Sequence, residues 1–200
     1  MDDLSIVKEK RKPTAVRKRE IVDIAIQILA LDGARAFTAK NIAVEAGITS
    51  GAIFRHFESM EAIVGDVVAL IETILTGDFP VGVEDPIKRL KVFFLNRTKT
   101  ILTYPNISRL LLSDHLEQAA GHDAARSLKK AKIRSRKFVL ECLQEAEQAG
   151  SLGSGVDPEV ATIIVIGAIL SMSHASTRVV DKTKSKKRYE DVWTVIEQML

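Results

Sequence analysis

A run of small and polar side chains at residues 49–56 has residue types that suit close contact with another molecule. It holds two hydroxyl groups, a glycine and an alanine, followed closely by Arg55 and His56. Short side chains permit close approach, while hydroxyl, guanidinium and imidazole groups donate or accept hydrogen bonds. Such a surface at the start of a helix can lie in the major groove of DNA, where base edges present hydrogen-bonding groups.

Positive charge is concentrated just before this run. Residues 8–19 hold seven lysines and arginines against one acid, Glu9, although the whole chain carries a net charge of only +3. Cations that flank a base-reading helix would contact phosphates and fix its register. The alternative is a solvated charged face, which is also our first interpretation of the basic clusters at residues 126–137 and 182–188.

Three short helices are predicted to position these groups. Apolar residues recur at helical spacing from Ile21 to Leu29 and predict a helix over residues 17–31. Thr38 is a suitable N-cap for a second helix, Gly47 can adopt the left-handed conformation of a tight turn, and Thr49 can cap a third helix. Two helices joined by such a turn form the helix-turn-helix pattern. The alternative is an ordinary three-helix packing unit.

The residues predicted to contact double-stranded DNA fall into two groups. Phosphate contacts are assigned to residues 8–12 and to Arg17, Lys18, Arg19, Thr38 and Lys40. The third helix and its cap supply the remainder: Thr49, Ser50, Gly51, Ala52, Phe54, Arg55 and His56.

The first helix, the Phe37-Thr38 pair, the turn at residues 46–49 and the His56-Phe57 pair follow one another in a specific order. In this order the segment 17–64 resembles the TetR family of bacterial transcriptional regulators. The resemblance implies a DNA-binding head followed by an all-helical regulatory body. Phe54 and Met60 stand where the family usually has Tyr and Lys, which contact phosphates. These departures imply weaker DNA binding or a larger role for the N-terminal arm.

The whole chain is predicted to be all-α, with a three-helix helix-turn-helix head, a larger regulatory and dimerisation body, and about nine helices. Aromatic residues make up only 5% of the 200 residues, and helix-forming residue types dominate. The predicted regions are a basic arm at 1–16, the head at 17–60 and the body at 61–200. Ser59, Asp85-Pro86 and Asp157-Pro158 mark helix starts in the body.

A homodimer is predicted from the helix that begins at Pro158, because it is apolar nearly all round and must be covered on every side. The final helix has a similar stripe, so two helices from each subunit would form a four-helix interface, as the resemblance also implies. The alternative is that both helices pack within one chain. The predicted interface residues are Ile163, Ile164, Gly167, Leu170, His174, Trp193, Ile196 and Leu200.

The resemblance also implies a site between the body helices for a small apolar or amphipathic ligand. Aromatic side chains with polar neighbours would form its walls, although such residues are more often simply core. The residues assigned to this effector pocket are Val67, Ile71, Phe94, Arg97, Tyr104, Leu111, His115, Phe138 and Cys142.

Other chemistry is poorly supported by the sequence. It contains neither a GxSxG nucleophile elbow nor a GxxxxGK[ST] phosphate loop, and its histidines lack metal-ligand spacing. We therefore expect no enzymatic activity, no cofactor and no metal. The single cysteine fits a reducing cytoplasm, and the longest apolar stretch, at residues 160–172, is short for a bilayer, so we expect no membrane contact.

The leading hypothesis is a cytoplasmic, nucleoid-associated repressor that binds a palindromic operator as a homodimer and is released by a ligand. The alternative is a DNA-bound interaction protein whose body engages another protein. Residues 104–114 support that alternative, since they resemble a segment of TetR-like proteins that include a nucleoid-occlusion regulator of cell division.

Deleting residues 1–16 tests the role of the arm. If Lys8, Lys10, Arg11 and Lys12 contact phosphates, affinity falls equally for all DNA sequences. The slope of log K against log salt should then shrink by about 0.9 for each lost contact. Binding isotherms at several salt concentrations measure this slope, and an unchanged slope would show that the arm makes no phosphate contact.

Overall fold

The computed structural model describes residues 13–120, 122–176 and 182–200, and the regular elements in that part of the chain are helices, which confirms the predicted all-α fold. Lys8, Lys10, Arg11 and Lys12 of the arm lie outside the described residues, as do the side chains of Lys182 and Lys184. The α-helices in chain order are α1 Thr14–Leu31, α2 Ala39–Glu45, α3 Ser50–Ile53, α4 Met60–Gly77, α5 Pro86–Thr103, α6 Pro105–Leu112, α7 His115–Ala119, α8 His122–Gln148, α9 Pro158–Ser176 and α10 Lys182–Met199.

Side-chain caps fix several helix starts where the sequence predicts them. Thr38, Thr49, Ser59 and Asp85 each accept a hydrogen bond from the backbone amide three residues on, at 3.2, 3.3, 3.2 and 2.8 Å. Each bond satisfies an amide that the first turn of a helix leaves unpaired. The starts of α2, α3, α4 and α5 are thereby set by local chemistry.

The head core lies between α1, α2, α3 and the N-terminal half of α4. Ile21, Ala25, Ile42, Ile53 and Ile63 are fully buried there. Helix α1 also packs against α6 and α7, and α4 also packs against α7 and α8. The head therefore rests on the body through these two helices.

A second core lies between α5, α8, α9 and α10. Trp193 of α10 is only 1% exposed, and its ring centroid lies 5.3 Å from that of Phe94 on α5. Phe79, Phe93 and Phe138 form an aromatic cluster with centroids 5.0 to 5.3 Å apart. These contacts join α10 and α8 to α5, the helix around which the body is built.

Helix α9 carries apolar side chains on both its inner and its outer face, as the sequence predicts. Ala161 and Val165 are buried against the body, whereas the outer face is open. Five residues assigned to the dimer interface lie on that outer face: Ile163, Ile164, Gly167, Leu170 and His174. The apolar ones among them are 41% to 64% exposed.

The residues of α10 assigned to the interface lie elsewhere. Trp193 and Ile196 are buried in the core of a single chain, because α10 turns its apolar stripe towards α5. Leu200 is partly buried at the end of the chain, and Val195, at 66% exposed, is the large apolar side chain that α10 presents to solvent. Of these two helices, α9 is therefore the one that presents a continuous apolar face among the residues described.

By length and composition α9 is long and apolar enough to cross a membrane. From the sequence we expected the apolar stretch at residues 160–172 to be too short. The 18 residues Pro158–Ala175 have a mean hydropathy of 1.5, and 39% of them are buried inside the chain. A core helix of a globular protein has the same composition. Helix α9 packs against α5, α6 and α8, as a core helix does.

Replacing Trp193 by alanine should strongly destabilise the body. The change opens a cavity against Phe94, so the free energy of unfolding should fall by about 3–5 kcal/mol. Val195→Ala, on the exposed face of the same helix, is the matched control and should stay within about 0.5 kcal/mol of the parent. Urea unfolding followed by circular dichroism measures both, and equal effects would contradict this placement of α10.

Candidate nucleic-acid interface and body pocket

The turn between α2 and α3 is held by backbone hydrogen bonds. The amide of Ala46 donates to the carbonyl of Ile42 at 2.9 Å, and that of Ile48 donates to Ala43 at 3.0 Å. Gly47 has a φ of 63°, the left-handed conformation that glycine adopts without strain and that the sequence predicts here. The turn therefore directs α3 away from α2 at a fixed angle.

Helix α3 buries one side and exposes the other. Ile53 and Phe57 are 0% and 4% exposed and anchor the helix and the residues after it to the head core. Gly51 and Arg55 are exposed, and a Cβ added at Gly51 would meet no atom within 4 Å. This side of α3 is therefore open to close approach by another molecule, and a recognition helix in the major groove needs such an open side.

Neighbouring positions extend that open surface. Thr38 and Lys40 are exposed at the start of α2, and Phe54 is 47% exposed at the end of α3. Met60 is partly buried and packs against the head core. The remaining positions assigned to DNA are divided by exposure: Thr49 is exposed, whereas Ser50, Ala52 and His56 are partly exposed.

Arg17 and Lys18 face the head itself. Arg17 Nη1 donates to the carbonyl of Ala46 at 3.2 Å and pairs with Glu20 Oε2 at 2.9 Å. Lys18 Nζ lies 4.9 Å from the centroid of the Phe57 ring, a cation–π contact. Both cations therefore brace the helix-turn-helix, a positioning role that the charge count in the sequence did not indicate.

A cavity of about 370 Å³ lies in the body. Its walls come from the ends of α4 and α5, from α6, and from the middle of α8 and α9. Most wall side chains are apolar, including Phe93, Ile107 and Ile169, and the polar ones include Arg97 and Ser135. This size and this mixture are typical of small-molecule sites.

Two of the nine residues assigned to the effector pocket, Arg97 and Leu111, line this cavity. Val67 and Ile71 are buried in the core that α4 shares with the head. Tyr104 lies where α5 meets α6 and is 38% exposed. The apolar stripe of the sequence places Val67 and Ile71 on α4, a helix that reaches the cavity through Leu75, but it does not specify which residues of α4 meet the cavity.

The other assigned residues hold the body together. Phe94 packs on Trp193, and Phe138 belongs to the aromatic cluster. His115 lies between head and body, where its Nδ1 is 3.0 Å from the carbonyl oxygen of Leu29. None of these three side chains lines the cavity.

Cys142 is buried beneath α5. Arg89 Nε donates to its Sγ at 3.4 Å, and Arg89 also pairs with Glu145. Burial raises the pKa of the Cys142 thiol, although the hydrogen bond from Arg89 acts in the opposite direction. A thiol that is 1% exposed with a raised pKa belongs to the core of the body. Cys142 does not line the cavity to which the sequence pattern assigns it.

The buried charge at the cavity is an ion pair. Arg97 Nη1 lies 3.1 Å from Asp78 Oδ2, and both side chains are 7% exposed. Burial raises the pKa of Asp78, against the opposing effect of Arg97, and burial also lowers the pKa of Arg97. Asp78 is a functional candidate that the sequence patterns did not indicate. Its signal was an acid directly after the end of α4, where the helix dipole disfavours negative charge unless a cation is near.

Two further cations line the cavity. Lys132 Nζ pairs with Glu117 at 3.4 Å, and Arg136 pairs with Glu159 at 2.9 Å. All four of these side chains are 41% to 56% exposed. Within the described residues, no group of three His, Cys, Asp or Glu side chains is placed to hold a metal ion.

The head is similar in sequence to a known family of DNA-binding proteins. Residues 21–67 match the model of the family described as bacterial regulatory proteins, tetR family. The match covers α2, α3, most of α1 and the first half of α4, which are the elements that build and position the exposed surface of α3.

Two curated relatives are similar to the chain in sequence. The chain is 42% identical to the HTH-type transcriptional repressor KstR2 of Rhodococcus jostii over 52 residues, about a quarter of the length of that relative. It is 22% identical to KstR2 of Mycobacterium tuberculosis over 147 residues, which cover 72% of this chain and 73% of the relative.

Solved structures share the whole fold. The ketosteroid transcriptional regulator KstR2 of Mycobacterium tuberculosis superposes with a TM-score of 0.77 at 19% identity, over 91% of this chain and 93% of that one. The transcriptional regulator FadR of Bacillus subtilis, solved in complex with stearoyl-CoA, gives 0.61 at 17% identity, over 91% and 98% of the two chains.

Gly51→Leu should abolish binding to duplex DNA while leaving the fold intact. A leucine at this position projects from the open surface of α3 and would prevent close approach to the base edges. Gly65→Leu is the matched control, since Gly65 is also an exposed helical glycine with no atom within 4 Å of an added Cβ. Fluorescence anisotropy with labelled DNA measures affinity, and thermal melting checks the fold. Equal affinities for the two variants would exclude α3 from the interface.

Proposed function

We propose that this chain, a DNA-binding transcriptional regulator of the TetR family, is a ligand-released repressor that binds a palindromic operator as a homodimer. Its site of action would be the nucleoid of a bacterial cytoplasm. The observation that carries the proposal is the exposed, small-residue surface of α3, presented by a turn that Arg17 and Gly47 fix in place. Rigid presentation matters because base-edge contacts depend on geometry within a fraction of an ångström.

The homodimer is proposed from the outer face of α9. Val160, Ile163, Ile164 and Leu170 are exposed at helical spacing and form a continuous apolar strip. Burying such a strip in a second copy is favourable. Two-fold pairing would also present two heads to two half-sites of a palindrome.

Release by a ligand is proposed from the cavity and its position. The cavity touches Leu75 near the end of α4, and α4 begins directly after the helix-turn-helix. The structural neighbours add support: one is named a ketosteroid regulator, and another was solved with stearoyl-CoA. A ligand that prefers one position of α4 would shift the population of head arrangements and so change DNA affinity.

Selection of bound sequences from a random DNA library tests the proposal directly. We expect enrichment of one palindrome whose half-sites lie about one helical turn, 10–10.5 base pairs, or a multiple of it apart. Enrichment of a single half-site would remove the dimeric mode of binding. Failure to enrich any sequence would contradict operator recognition itself.

Ile163→Glu should weaken the dimer strongly. The substitution would place an unpaired carboxylate in the apolar interface, which costs several kcal/mol unless the charge is neutralised. Val81→Glu is the control, because Val81 is 94% exposed in the loop between α4 and α5. Sedimentation velocity at micromolar concentration measures the oligomeric state. A dimer that survives Ile163→Glu as well as it survives Val81→Glu would place the interface elsewhere.

A further inference from the structure

The ion pair between Arg97 and Asp78 joins the cavity to the end of α4. Besides Asp78, the Arg97 guanidinium contacts the Ser135 hydroxyl and the Leu75 carbonyl through Nη2, at 3.1 and 3.4 Å. It also lies 5.1 Å from the centroid of the Phe93 ring and lines the cavity. Arg97 is therefore a buried cation of the mostly apolar cavity, in contrast to Lys132 and Arg136, which are about half exposed. Its counter-charge is Asp78, the residue that directly follows α4.

Asp78 is incompletely satisfied in this arrangement. Its Oδ1 accepts a hydrogen bond from Thr100 Oγ1 at 2.7 Å. Its Oδ2 is buried and, among the residues that the structure describes, has no partner in hydrogen-bonding geometry, although Arg97 lies at ion-pair distance. A buried carboxylate with an incomplete set of donors is costly to keep charged, so another anion can replace it more easily.

Helix α5 holds the end of α4 through polar side chains on one side. Asn96 Nδ2 donates to the backbone carbonyl of Asp78 at 3.2 Å, in addition to the contacts from Arg97 and Thr100. Helix α4 is one element of 18 residues, about 27 Å long. Its Ile63 is fully buried in the head core. One unbroken helix therefore links the residue beside Asp78 to the head core.

We propose that Arg97 is the receptor for a carboxylate on the ligand, and that this carboxylate replaces Asp78 beside Arg97 and releases the end of α4. The ligand class is an amphipathic carboxylate whose apolar body lies against Phe93, Ile107 and Leu111. Two carboxylates beside one buried guanidinium leave a negative charge without compensation, so Asp78 must move to solvent or take up a proton. The effect on DNA rests on the proposed function, whereas binding and release of α4 are properties of the body alone.

Calorimetric titration with dodecanoate and with 1-dodecanol, both below their aggregation limits, tests the receptor. The wild-type chain should bind dodecanoate at least tenfold more tightly, since the two probes share a chain length and differ in charge. Asp78→Asn keeps an oxygen for Thr100 but removes the competing charge. It should bind dodecanoate roughly ten- to a hundredfold more tightly than the wild type, the range for one charge-assisted hydrogen bond, with dodecanol unchanged.

Two variants serve as controls. Asp85→Asn changes an exposed N-cap carboxylate in the same way and should leave both affinities as in the wild type. The double variant Arg97→Met with Asp78→Asn lacks both charges of the buried ion pair. It should lose most of the preference for dodecanoate, because the other two cavity cations, Lys132 and Arg136, are about half exposed and already paired with acids. Absence of dodecanoate binding to the wild type, absence of a preference for it, or an unchanged affinity in Asp78→Asn would each overturn the proposal.

Hydrogen exchange tests the release of α4. Dodecanoate should speed exchange of the amides in the last turn of α4, residues 73–77, in the wild type and not in the double variant. Unchanged exchange in the wild type would overturn the coupling. Neither the titration nor the exchange measurement contains DNA. Failure to select an operator would therefore contradict the proposed function alone, whereas the two measurements test Arg97 as the carboxylate receptor independently.

Discussion

The apolar face of α4 is buried along nearly its whole length, from Ile63 in the head to Leu75 beside the cavity. No break in the helix separates the two ends, so the head cannot rotate about α4 without disturbing packing in the body. Helices α1, α7 and α8 pack against α4, and α6 packs against α1 and α7. The head and the body thus share helix α4. A structural change in the body that affects the head must therefore involve the packing of α4.

The head was largely predictable because its signals are local. Thr38, Thr49 and Ser59 cap helices through bonds to amides three residues on, and Gly47 adopts the backbone conformation for which glycine is suited. Such interactions involve neighbours in sequence and need no knowledge of the fold. The alternation of apolar and polar positions then specifies which side of each helix is buried.

The rest was not predictable because it depends on partners distant in sequence. Trp193 was assigned to an interface, since an apolar stripe on a terminal helix looks the same whether another chain or α5 covers it. The sequence pattern assigns Arg17 to DNA phosphates, yet its guanidinium reaches the carbonyl of Ala46, 29 residues away. Asp78 and Arg97 pair across 19 positions, and only the packing of α4 on α5 brings them together. Charge and apolar periodicity indicate whether a side chain needs an ionic or an apolar partner. They do not indicate which helix supplies that partner.

Successive residues of α9 face the core, the cavity and the outer surface. Helix α9 therefore takes part in both functions proposed for the body, which are ligand binding and dimerisation. Val165 faces the core, Ile166 and Ile169 face the cavity, and Ile163 and Ile164 face outward. Leu170 belongs to two of these environments, because it lines the cavity and is also 47% exposed beside the outer apolar strip. A side chain that touches the cavity cannot change its position without changing the surface next to it. A second copy packed on that strip would therefore bear on the cavity wall, so that occupancy of the cavity and the spacing of the two heads would depend on the same helix.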